Sequence, residues 1–122
     1  MTIDHQIDHT MRMVVVTITG ELTDKSLLSV ADALKKAPGV EKDFSLLLDL
    51  RGADGQNITT AGVQNLAARP LVLSPESRRA VVVPSVLGFG MARMYELMRG
   101  TGGMRVFHDY DEARRWIETG AE

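Results

Sequence analysis

Phe44-Ser-Leu-Leu-Leu-Asp-Leu50 is the stretch on which the fold turns. Side chains alternate between the two faces of a strand, so a run holding Phe44, Leu46, Leu47, Leu48 and Leu50 has no wet face. Cut off by Arg51-Gly52, it reads as a central strand covered on both sides, the usual state of a parallel sheet flanked by helices.

Upstream, Leu27, Val30, Ala31 and Leu34 fall at i, i+3, i+4 and i+7. They define a helix from about Thr23, with Lys35-Lys36 at its cation-favouring end and Pro38-Gly39 as its stop. Arg12 to Thr19 is rich in β-branched side chains and forms a strand that Gly20 breaks. Residues 3–7 alternate apolar and polar, which suits a short edge strand pairing antiparallel with it across Asp8-His9-Thr10. Downstream, Gly52 to Asn57 reads as a loop, and Thr59 or Thr60 caps a short helix bearing Val63, Leu66 and Ala67. Arg79 to Val83 is a buried-type strand closed by Pro84; Ser85 caps a helix to about Arg99, which Gly100 and the following glycines stop. Met104 to His108 is the last strand, and Asp109-Tyr-Asp-Glu112 is a capping box for a helix carrying Ala113, Trp116 and Ile117. The order β-β-α-β-α-β-α-β-α, with right-handed crossovers, predicts an α/β sandwich: a mostly parallel sheet, an antiparallel N-terminal edge hairpin, and one domain over residues 1–122.

Composition narrows the function. Fourteen Lys+Arg against sixteen Asp+Glu leave a net charge of −2, which offers no broad attraction for nucleic acid or an anionic membrane. With no cysteine, disulfides, thiol catalysis and zinc–cysteine clusters are excluded. No apolar run reaches the roughly 20 residues of a membrane span, and the polar start Met1-Thr-Ile-Asp-His5 is unlike a signal peptide, so the expectation is a cytoplasmic protein.

Catalytic constellations are scarce. Asp4, His5, Asp8 and His9 offer metal-ligand chemistry, but His5 and His9 on an extended segment stand about 13 Å apart, and a solvated edge is the better reading. Gly88-Phe-Gly90 is an incomplete dinucleotide loop, because Arg93 holds the place of its third glycine. The best enzymatic assembly would be Asp49, Thr59, Arg93 and His108 at strand ends. No metal, cofactor or catalytic residue is therefore predicted.

Two features point to binding instead. The helix Ser85–Arg99 is apolar around most of its circumference, leaving Arg93, Glu96 and Arg99 as a narrow charged stripe. Either two of its sides are covered, or Phe89, Met91, Met94, Tyr95 and Met98 form a dimer surface or line a ligand pocket. The second feature is the pair of hydroxyls, Thr59 and Thr60, at a helix N-terminus. They are plain caps, or a place where a phosphate would be favoured.

Thr17-Ile-Thr-Gly-Glu-Leu22, the Leu27/Val30/Ala31/Leu34 helix and Leu46-Leu-Leu-Asp-Leu50 together resemble the STAS domain, the SpoIIAA-like family of anti-sigma factor antagonists. In that family the central strand ends in Asp-Leu and leads to Asp-Ser-Ser-Gly-x-Gly, whose second serine is phosphorylatable. Counted without gaps from Asp49, this motif falls on Asn57, Ile58, Thr59, Thr60 and Gly62. The hydroxyl is kept at Thr59, while the acid, one serine and the tight glycine are not. The resemblance implies a non-enzymatic regulatory module of bacterial origin. Its loop, residues 52–62, would dock a protein partner, with Thr59 as the modifiable hydroxyl and Asp49, Asn57 and Thr60 around it. Sec14-like lipid-transfer domains are similar in fold, which implies an alternative: a small apolar ligand or lipid under the helix 85–99. A homodimer is expected, through that Met-rich helix or through strand pairing at residues 3–7.

Overall fold

The Phe44–Leu50 run becomes β3 (Ser45–Asp54), the middle strand of a five-stranded sheet. A computed structural model describes residues 1–70, 72–100 and 102–120, the side chain of Leu87 excepted. In chain order the elements are β1 (Thr2–Asp8), β2 (Met13–Glu21), α1 (Asp24–Lys36), β3, α2 (Thr60–Ala67), β4 (Arg79–Val82), α3 (Val86–Arg99), β5 (Met104–Phe107) and α4 (Tyr110–Thr119). The strands lie side by side in sequence order, β1 antiparallel to β2 and all the others parallel. This is the predicted mixed α/β architecture.

Each crossover steps one strand in the same direction, so a single handedness sets α1, α2 and α3 over one face of the sheet. The last helix, α4, folds back over the other face. There Ala113, Trp116 and Ile117 close a dense cluster with Met13, Leu47, Ala80 and Val82. Asp109 caps α4 as the capping box requires, accepting from the Glu112 N–H at 2.9 Å.

Two boundaries differ from the sequence reading. Gly20 does not end β2 and Gly52 does not begin a loop: Thr19 pairs with Gly52, Gly20 with Ala53 and Glu21 with Asp54. The extension follows a bulge that places one extra β3 residue between the Thr17–Asp49 and Thr19–Gly52 pairs. The bulge resets the alternation of β3, so that Leu50 and Ala53, three residues apart, both face the α1–α3 side.

Candidate functional site

The face under α1–α3 is packed differently from the face under α4. Val14, Val16, Ile18 and Leu22 are buried there, but α1 buries no residue completely: Val30 and Leu34 are only half-covered. Between helices and sheet lies an apolar cavity of about 610 Å³. Its floor is Val16, Ile18, Leu46, Leu48 and Val81; its roof is Leu27 and Val30 of α1, Val63 and Leu66 of α2, and Met91 and Ala92 of α3. The volume falls inside the roughly 300–1,000 Å³ of small-molecule sites, and the walls have the apolar chemistry of such sites.

One end of the cavity is charged. Parallel pairing puts Leu46, Arg79 and Met104 in one row across the floor, so a guanidinium stands where its neighbours are apolar. Arg79 is 9% exposed. Its Nη2 donates to the carbonyls of Pro75 and Gly102, while its buried Nε has no partner. The backbone closes tightly on this group: a Cβ at Gly103 would lie 2.9 Å from Arg79 Nη2 and from the carbonyls of Pro75 and Ser77. Opposite, Arg99 Nε donates to Tyr95 Oη at 3.0 Å, and both side chains border the cavity. Burial pushes Arg79 below the ordinary guanidinium range; the Tyr95 phenol opposes that and the positive Arg99 adds to it.

Thr59 serves a structural tie. As N-cap of α2 it accepts from Gly62 N–H at 3.1 Å, while its own N–H and hydroxyl donate to Asp24 at 2.9 and 2.6 Å. Asp24 stands in the first turn of α1, so its carboxylate meets the positive ends of two helices. The two hydrogen bonds from Thr59 hold its pKa below the usual carboxylate range. Gly62 makes the approach possible, since a Cβ there would sit 2.1 Å from Asp24 Oδ1. Asn57 and Thr60 are exposed beside this tie.

Asp49 is not part of that cluster. Its row faces α4, where Arg51 grips it with Nε to Oδ1 and Nη2 to Oδ2, both at 2.9 Å, and lies 4.7 Å over the Tyr110 ring. Arg93 is occupied by Glu96, and His108 stacks on Phe89 at 5.1 Å with Nδ1 3.1 Å from the Val83 carbonyl. Among the described residues no hydrogen bond or ion pair joins any two of Asp49, Thr59, Arg93 and His108. Among the described residues no three His, Asp or Glu side chains gather as metal ligands, and no helix is long and apolar enough to cross a membrane.

Of the apolar residues singled out on α3, Met91 and Tyr95 line the cavity, Phe89 turns to His108, and Met98 is 39% exposed. The outward stripe of α3 carries Val86 and Leu97, 86% and 72% exposed. Sequence reasoning missed Arg79 and Arg99. The signal for Arg79 was a charge in phase with Val81 and Val83 on a strand otherwise apolar; Arg99 sat in the final helical turn, where a cation is unremarkable.

A DUF3478-family protein from Shewanella loihica PV-4, described as uncharacterized and as having a SpoIIAA-like fold, superposes with a TM-score of 0.62 over 95% of this chain and 92% of its own, at 16% identity. At that identity the likeness speaks for the fold alone. No curated protein matches the chain by sequence. The SpoIIAA-like family model matches residues 13–118, from the first residue of β2 to the last turn of α4, and the chain belongs to the SpoIIAA-like family.

Proposed function

We propose that this chain is a non-enzymatic binding module whose ligand, a small apolar molecule, occupies the cavity between the sheet and α1–α3. The cavity itself carries the reading. Apolar side chains from the sheet and from three helices surround about 610 Å³ without filling it, a volume in the range of small-molecule sites. Most of its lining is apolar, as expected of a site that takes an apolar body. The test is titration of the full chain with the uncharged fluorophore N-phenyl-1-naphthylamine, with native mass spectrometry for co-purified small molecules. Saturable enhancement reversed by an alkyl chain is expected; no enhancement and no bound molecule would remove the reading.

Docking of a protein partner at residues 52–62, the end of β3, the loop after it and the start of α2, is the second reading, favoured by the exposure of Asn57, Thr59 and Thr60. It draws less support, because the Thr59 hydroxyl is committed to Asp24 and a phosphate there would stand against that carboxylate. Thr59→Glu tests it: unchanged partner affinity would dismiss a switch at this residue. Self-association through α3 belongs to the same proposal, with Val86 and Leu97 as the apolar contacts. Light scattering that gives monomer mass at every concentration would reject it.

A further inference from the structure

We infer that the cavity selects amphiphiles with a single anionic head, the head held by Arg79 and Arg99 and the chain laid along the sheet. This rests on the cavity being a ligand site and adds which end of the ligand is charged.

Three observations carry it. Arg79 is nine-tenths buried on the cavity floor, and among the described residues no carboxylate pairs with it. Its two carbonyl acceptors fix the guanidinium in place but supply no countercharge, and Nε remains without an acceptor. A buried cation in that state is costly unless an anion completes it. The carboxylate on this stretch of α3, Glu96, is taken by Arg93. Second, Arg99 and Tyr95 face the same end. The Tyr95 oxygen accepts from Arg99, which leaves its hydroxyl proton to donate. Third, most of the remaining lining is apolar, its other polar side chains being Asp54, Gln56, Arg69, Ser85 and Glu96, and from Arg79 to Val83, the residue after β4, the floor runs about 13 Å, a path for an alkyl chain. The chemistry recognised is a carboxylate or a phosphate monoester on an alkyl tail.

The experiment displaces N-phenyl-1-naphthylamine from the full chain with laurate, dodecyl phosphate and dodecanol, which share a tail and differ at the head. Wild type is expected to bind laurate or dodecyl phosphate at least about tenfold more tightly than dodecanol, as charge-assisted hydrogen bonds require. The tighter of the two anions identifies the head. Arg79→Met should erase the difference while leaving dodecanol affinity within about twofold; Arg99→Met should reduce it, and gives the same readout should Arg79→Met fail to fold. Dodecanol binding as well as laurate in wild type would overturn this inference and leave the apolar site standing. Absence of binding by the fluorophore and all three chains would overturn the site itself.

Discussion

Val81 and Val82 are neighbours on β4 that face opposite sides of the sheet, and the same substitution should act on them with opposite sign. Val82 is completely buried in the cluster that α4 closes, beside Ala80 and Trp116. Val81 is 7% exposed and lies on the cavity floor. Phenylalanine carries four more carbons than valine. In a filled core they have nowhere to go, and overpacking costs about 1–3 kcal/mol. Over a cavity of about 610 Å³ they leave water instead. At about 0.8 kcal/mol per buried CH₂ the gain is at most about 3 kcal/mol, and fixing the ring reduces it to about 1–2 kcal/mol. Urea denaturation of both variants reads the two signs directly: the midpoint should rise for Val81→Phe and fall for Val82→Phe, at unchanged slope. Val81→Phe should also weaken binding of the uncharged fluorophore. If Val81→Phe destabilises the chain as much as Val82→Phe does, the space over β4 is not there in solution, and the functional reading falls with it.

Gly62→Ala should separate α2 from α1, because the new Cβ needs the place of the Asp24 carboxylate; a Tm lowered by about 5 °C is expected, with faster amide exchange at Val63. Gly103→Ala combines a φ of +78° with a Cβ 2.9 Å from Arg79 Nη2, and should cost more than about 1 kcal/mol by urea denaturation while weakening laurate more than dodecanol. For Asp49, burial is the largest influence and opposes its charge, yet the hydrogen bonds from Arg51 outweigh it and hold the pKa below the ordinary carboxylate value. A depressed folded pKa contributes stability above the unfolded value of about 3.9, and that contribution disappears as pH falls through the folded pKa. Asp49→Asn should therefore be less stable than wild type at pH 7, with a gap that narrows in urea midpoints taken from pH 5 down to pH 2.

The architecture was legible because local signals agreed: period-2 and period-3.6 patterns, caps at Thr59, Ser85 and Asp109, and the glycine after α3. Where the reading slipped, at Gly20 and Gly52, a long-range pairing across a bulge overrode the local meaning of glycine. Which face of a helix is packed and which stands over a cavity is a different kind of fact. Leu27, Val30, Ala31 and Leu34 make the same stripe whether they meet side chains or open space. The cavity follows from the distance between two layers, which periodicity does not encode.

The same limit explains the two residues on which the site reading depends most. Thr59 drew notice because a motif count landed on it, and its hydroxyl is equally what an N-cap wants. Its actual partner, Asp24, lies 35 residues upstream and joins it only because α1 and α2 start side by side. Arg79 drew none, since a charge at the edge of an apolar run reads as the strand's solvated beginning. Register reverses that: Leu46 and Met104 flank it on the cavity floor, and two glycine-permitted carbonyl contacts hold it there. A cation retained at an interior row position, where leucine or valine would pack without cost, needs an anion to make sense of it. Arg79→Leu should thus leave the domain as stable as wild type or more so when no ligand is added. If it instead unfolds the chain, Arg79 is also a clamp for the Pro75 and Gly102 carbonyls, and the charged end of the cavity is then read through Arg99→Met.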